Sequence, residues 1–359
     1  MEMLTDIVSR FEITGKVTDV KPMGEGLIND TYKVFTEGCD KPKYVLQRIN
    51  NAIFQDVDML MDNINKVTTH LRNKGKKTLN FYATKLKKLY YWEEEISPLP
   101  SVGRNDWKQN DGKYWRLMDF VPDSITYQTI NPHYSYLAGK SFGEFEYLLS
   151  DMDEPLGEII PDFHNIEFRL KQLRNAVSED NVGRAAEVQY YLDEIFKREE
   201  KMTLGECLFR EGKLPKRVCH CDTKVNNMLF DKDGNILCII DLDTVMPSFI
   251  FSDYGDFLRT AANTGLEDDP NLDNIDFNME IYEAFTKGYL ESTKDFLLPV
   301  EKENLPYAVL LFPYMQTVRF LADYINGDTY YKIKYPEHNL VRTKAQWRLF
   351  ERAEKKLSY

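Results

Sequence analysis

Apolar positions along this chain keep one rhythm up to residue 121 and another after it. β-branched and aromatic residues cluster over 17–20, 31–35 and 44–49, with Pro22, Gly24 and Gly26 punctuating the first gap. Short runs bounded by turn residues predict strands. Val57, Leu60, Ile64, Val67 and Leu71 then recur every third or fourth position, which predicts an amphipathic helix. Strand-like runs return over 89–92 and 114–121 and stop at Pro122. Beyond it the period is helical over 136–149, 185–198, 281–289 and 305–325, and Gly139 and Gly143 would let another backbone close on the first of these. One β island interrupts the helices: 227–230 and 236–240 are apolar runs joined by Asp231 to Gly234, a hairpin signal. Strands first and helices afterwards predict an α+β chain with two unlike lobes rather than a doubly wound sheet. The expected division is a β-rich lobe over 1–120, a hinge at 119–124 and a helical lobe over 125–359.

Composition narrows the function. At 359 residues, 43% hydrophobic and 13% aromatic, the chain can bury a large core, which excludes wholesale disorder. A net charge of −12 argues against nucleic acid as a partner and leaves any phosphate to be held with the help of a metal ion. The first residues lack the basic and apolar regions of a signal peptide, and no apolar run is long enough to span a bilayer. Five scattered cysteines read as reduced thiols and not as a disulfide framework. The expectation is a cytoplasmic monomer with no membrane partner.

The chemistry concentrates in one loop. His220, Asp222 and Asn227 have the spacing of the protein-kinase catalytic loop, and Asp241 closes the hairpin that follows, where kinases place a second metal-binding acid. Phosphoryl transfer needs a carboxylate beside the attacking hydroxyl, which Asp222 offers, and hard oxygen ligands for magnesium, which Asn227 and Asp241 offer. Lys224 stands where it can stabilise charge on the transferring phosphoryl group. His220 reads as a pin for the loop and not as a proton carrier.

Upstream, Gly24 and Gly26 lie between two predicted strands, in the place of a phosphate-covering glycine loop, with Asn29 where a third glycine would be. The third strand lacks the usual kinase lysine. It offers Gln47 and Arg48, either of which could face the phosphates, and the next helix carries Asp56, Asp58 and Asp62 but no glutamate. Asp119 and Val121, at the expected hinge, complete the residues assigned to ATP.

Arranged this way, the chain resembles the aminoglycoside phosphotransferase and choline kinase superfamily, and most closely the bacterial N-acetylhexosamine 1-kinases. The likeness runs through Gly26 to Tyr32, Tyr44 to Gln47, His220 to Asn227, Ile239 to Thr244, Leu266 to Asp269, Arg319 to Tyr324 and Lys334 to Thr343. It implies a two-lobed protein-kinase-like fold and ATP- and Mg²⁺-dependent phosphorylation of the anomeric hydroxyl of N-acetylglucosamine or N-acetylgalactosamine. It also implies Asp222 as base, Asn227 and Asp241 as metal ligands, and Asn29, Arg319 and Tyr330 beside the sugar. The missing third-strand lysine is a trait of that family. Leu27 departs from it, standing where those enzymes have a histidine near the sugar.

Two other readings compete. One is a kinase for an aminoglycoside, an amino alcohol or another sugar, favoured by Leu27 and by the acidic run 267–283, which otherwise reads as a solvated face. The other is a catalytically silent nucleotide-binding protein, suggested by the absent lysine.

Overall fold

The computed structural model describes residues 2–24, 28–93, 113–127 and 129–358. They divide into two compact units, one of residues 1–125 with 231–233, the other of 126–230 with 234–359.

The first unit contains helix α1 (Glu2–Ser9), strands β1 (Val17–Pro22), β2 (Asp30–Thr36) and β3 (Tyr44–Ile49), helix α2 (Val57–Asn73), and strands β4 (Tyr91–Glu93) and β5 (Lys113–Asp119). The five strands form one antiparallel sheet in the order β1-β2-β3-β5-β4. Tyr44 and Leu46 of β3 join Ile7, Val8, Phe11, Val20, Val34, Trp115 and Leu117 in a buried cluster. Side chains alternate along a strand, so Gln47 points away from that cluster, towards the opposite face. Asp56 caps α2 by accepting the Met59 N–H at 2.8 Å, and the predicted stripe from Val57 to Leu71 is buried.

The second unit is mainly helical. It contains α3 (Pro132–Leu149), α4 (Ile166–Glu179), α5 (Gln189–Lys197), α6 (Glu199–Met202), α7 (Leu204–Arg210), α8 (Phe251–Ala261), α9 (Met279–Thr293), α10 (Pro299–Glu303), α11 (Leu305–Ile325) and α12 (His338–Leu357). Two antiparallel strand pairs sit among these helices. One joins β6 (Arg217–Cys219) to β9 (Met246–Ser248), the other β7 (Met228–Phe230) to β8 (Ile236–Ile239). Helices α3 and α9 approach to backbone contact. A Cβ on Gly139 would stand 2.1 Å from the Phe285 carbonyl oxygen, and one on Gly288 would stand 2.1 Å from that of Tyr136. Only glycine fits at either place. Pro313 lies inside α11, and Thr317 Oγ donates to its carbonyl at 2.8 Å.

The molecule is therefore α+β, with its larger sheet in the first unit and most of its helix in the second. Among the described residues no helix is long and apolar enough to cross a membrane. None of the five cysteines is in a disulfide, and Cys219, Cys221 and Cys238 are buried.

Candidate active site

The loop after β6 is held by a carboxylate that the sequence pattern does not reveal. Asp253 of α8 is fully buried, and its two oxygens accept the backbone N–H groups of His220 and Cys221, each at 2.7 Å. Thr223 Oγ donates to the Asp253 carbonyl at 2.7 Å, and Thr244 Oγ donates to the His220 carbonyl at 2.8 Å. These bonds stabilise an unusual backbone: Cys221 has φ 62°, a left-handed conformation costing about 1–2 kcal/mol for a non-glycine residue. His220 is buried between Phe142 and Phe145. Its Nδ1 accepts the Asp222 N–H at 3.3 Å, so Nε2 carries the proton and donates to the Ile240 carbonyl at 2.9 Å. The histidine pins the loop, as its sequence context predicts.

Three of the predicted residues meet here. Lys224 Nζ lies 2.6 Å from Asp222 Oδ1, and the Asp222 side chain keeps 20% exposure, so a small molecule can reach it. Asn227 Nδ2 donates to the Asp222 carbonyl at 2.8 Å and to Asp222 Oδ2 at 3.2 Å. That commitment leaves Asn227 Oδ1 as the ligand end of the amide. The Ile240 N–H donates to the Asn227 carbonyl at 2.9 Å, which brings Asp241 beside the same turn. Asp241 also takes a left-handed conformation, φ 61°. Hard oxygens from an amide and a carboxylate are the donors magnesium prefers, so this pair fits the metal. Burial works against the charge on Lys224, but Asp222 and Asp256 outweigh it and push its pKa up. It remains a cation.

Around this loop lies a polar network absent from the predicted set. Arg259 of α8, fully buried, pairs with Asp256 at 2.8 Å and with Glu267 at 2.6 Å. The acidic run is thus not simply a solvated face: Asp268 receives His338 at 2.9 Å and Asp276 receives Lys356 at 2.6 Å. On α3, Glu146 is buried, and burial together with Asp253 raises its pKa well above the usual carboxylate range. Its one signal in the sequence is an acid inside an apolar helical run.

Farther along, the Arg319 guanidinium lies 5.5 Å from the Phe163 ring centre and 5.7 Å from that of Tyr331. Arg169 is close by. Burial, and then Arg319, lower its pKa to about 10. Among the described residues no carboxylate forms an ion pair with Arg169 or Arg319. His164, whose Nδ1 is buried without a hydrogen-bond partner, senses Asp256, Arg319, Arg169 and Arg259. Tyr330 is 70% exposed and packs on Tyr331, so the ring against Arg319 belongs to Tyr331. Asp323 fixes both tyrosines by accepting the N–H groups of Thr329, Tyr330 and Tyr331 at 2.8–2.9 Å.

In the first unit, Gly24 has φ 65°, and a Cβ there would meet nothing within 4 Å. Gly26 and Leu27 lie outside the described residues. Asn29 Oδ1 accepts the Asn50 N–H at 2.9 Å and so braces the sheet. Arg48 ion-pairs with Asp30. Asp119 Oδ1 accepts the Tyr82 hydroxyl at 2.6 Å, and the Val121 carbonyl accepts Ser124 Oγ at 2.8 Å.

Comparison with known proteins follows from this geometry. The sequence model of a family described as Phosphotransferase enzyme family matches residues 19–293. A microcompartment-associated aminopropanol kinase superposes with a TM-score of 0.62 at 15% identity, covering 99% of this chain and 97% of its own. An amicoumacin kinase in complex with AMP-PNP, Ca²⁺ and its ligand gives 0.58 at 14% identity, covering 99% and 93%. The choline kinase LicA from Streptococcus pneumoniae gives 0.56 at 14% identity, covering 100% and 99%. At such identities the likeness shows a shared fold.

Proposed function

The chain belongs to the phosphotransferase enzyme family, and from that premise we propose that it transfers the γ-phosphoryl group of ATP to the anomeric hydroxyl of an N-acetylhexosamine, giving the sugar 1-phosphate. The reaction reading rests on the cluster of Asp222, Lys224 and Asn227. Asp222 Oδ2 orients the sugar hydroxyl and accepts its proton as the oxygen attacks phosphorus in line. Lys224 stabilises charge on the phosphoryl oxygens. Asn227 Oδ1 and the Asp241 carboxylate hold magnesium, which when bound neutralises charge on the nucleotide phosphates. Gly24 and the backbone at Asp119 and Val121 are the nucleotide contacts this reading assigns in the first unit.

The pair Arg169 and Arg319 supports the acceptor class. Among the described residues neither guanidinium is in an ion pair with a carboxylate, and two such cations disfavour an ammonium group and favour a neutral, oxygen-rich acceptor. On this reading the acceptor differs from the amines named for the aminopropanol and choline kinases whose fold the chain shares, in line with the resemblance to N-acetylhexosamine 1-kinases. Incubation with ATP, magnesium and a panel of N-acetylhexosamines, other sugars, amino alcohols and aminoglycosides tests it. ADP release with an N-acetylhexosamine and not with amines is expected. Turnover confined to an amine would overturn the acceptor assignment, and no turnover with any acceptor would overturn the reaction.

A further inference from the structure

Kinases of this mechanism hold nucleotide phosphates with a lysine on the third strand. Here β3 has Gln47, and that amide is already committed sideways. Thr31 of β2, Gln47 and Arg116 of β5 stand in register across the sheet. Gln47 Nε2 donates to Thr31 Oγ at 3.1 Å, and Gln47 Oε1 accepts Arg116 Nε at 3.0 Å and Nη2 at 2.7 Å. A neutral amide cannot offset phosphate charge, so on the phosphotransfer reading more of that task falls to Lys224.

Lys224 Nζ lies 2.6 Å from Asp222 Oδ1, on the carboxylate that has to take the acceptor's proton. That pair serves neither partner's task. A bound cation lowers the basicity of Asp222, and the ammonium spends a donor there. A partly buried ammonium that leaves one anion needs another, because an unpaired charge away from water is costly.

Helix α8 supplies the second anion. Asp253 and Asp256 are three residues apart and share one side of the helix. Asp253 holds the loop at His220 and Cys221, and the Thr223 hydroxyl donates to its carbonyl. Helix carbonyls point towards the C-terminus, so this bond sets residues 223–224 over the turn that carries Asp256. Asp256 is buried, and its Oδ1 receives Arg259 Nε at 2.9 Å and Nη2 at 2.8 Å, while Arg259 Nη1 reaches Glu267 at 2.6 Å. Among the described residues no donor bonds Asp256 Oδ2. Burial opposes the charge on Asp256, but Arg259 and then Lys224 lower its pKa, so it stays ionised. Burial opposes the charge on Lys224 as well, and Asp222 and then Asp256 sustain it.

We propose that Asp256 is a positioning residue that gives Lys224 a second anion to hold. The inference rests on the phosphotransfer reading above. With nucleotide and acceptor bound, the ammonium leaves Asp222 Oδ1 for Asp256 Oδ2, which Arg259 keeps in place. Its remaining N–H groups meet the phosphoryl oxygens. Asp222 is then released to accept the hydroxyl proton, and Asp256 itself touches no substrate.

A double-mutant cycle on the full chain, read as ADP release with the preferred acceptor, tests this. Asp256→Asn should lower kcat ~10- to 100-fold, the loss expected for a hydrogen bond between charged groups, and leave KM for ATP-magnesium and for the acceptor within ~2-fold. Lys224→Met should lower kcat at least as far. In the Lys224→Met background Asp256→Asn should change nothing more, because the two side chains act through one ammonium. A loss of equal size in both backgrounds marks a structural role and overturns the proposal, as does an unchanged kcat in Asp256→Asn. Should that variant not fold, Asp256→Asn combined with Arg259→Gln leaves no buried guanidinium short of its partner, and it carries the same comparison by the same criterion. A wild-type chain that releases no ADP with any acceptor overturns the phosphotransfer reading itself, and this inference with it.

Discussion

Asp222 is surrounded by groups that steady its charge yet leave part of its carboxylate facing solvent. Asp222→Asn keeps the shape and removes the proposed base, so turnover should fall by about 10²- to 10⁴-fold with the melting temperature nearly unchanged. Steady-state ADP release with the preferred acceptor measures it, and near-wild-type turnover would remove Asp222 from the chemistry. Glu146 supports the same loop from behind. Its folded pKa is raised above the ordinary value of 4.5, first by burial and then by Asp253, so the fold favours the protonated form. The stability this contributes is complete below pH 4.5 and is lost as pH rises towards the folded value. Glu146→Gln imitates the protonated form, so its melting temperature should gain on wild type from pH 5 to pH 8. A constant difference across that range would show that Glu146 is already ionised. Asp222, Lys224 and Asn227 were legible because they share one loop, where spacing in sequence is nearly spacing in space. Asp253, Glu146 and Arg116 were not, because each reaches its partner from another element.

Among elements, legibility follows burial on one face. Strand β3 and helix α11 were read with their observed limits, and α2 to within two residues, because apolar period and turn residues agree there. Helix α8 was missed. Asp253, Asp256 and Arg259 are all buried on it, so polar positions no longer mark the solvent side. Strands β6 and β9 have three residues each, too few to show a period. The contact between α3 and α9 was legible only as an opportunity, through Gly139 and Gly143, and it is realised backbone to backbone. Gly139→Ala should therefore destabilise the protein by about 1–3 kcal/mol, although alanine is the better helix former by about 1 kcal/mol. Urea unfolding would show it, and a neutral or stabilising result would mean that the helices can part without cost.

For the whole molecule, composition revealed the quantity of charge but not its use. Strands early and helices late were enough to assign an α+β chain. The −12 net charge said nothing of which acids are paired. Much of the run from Glu267 to Asp276 ties α8 and α12 to the loop between α8 and α9, through Arg259, His338 and Lys356. On the proposed reading, ATP and magnesium together should stabilise the protein. At about 100 times Kd the gain is about 2.7 kcal/mol, visible as a rise of several degrees in melting temperature. EDTA should cancel most of it. An equal rise with and without EDTA would separate nucleotide binding from the metal, and no rise would remove nucleotide from the folded state. The row Thr31, Gln47 and Arg116 has a consequence for how such proteins are catalogued. An inventory that scores active kinases by a lysine on one strand would file this chain among the dead ones. The amide on that strand is bound sideways to Arg116, some seventy residues downstream in the text and one strand away in space, so the position is read across the sheet and not along the chain.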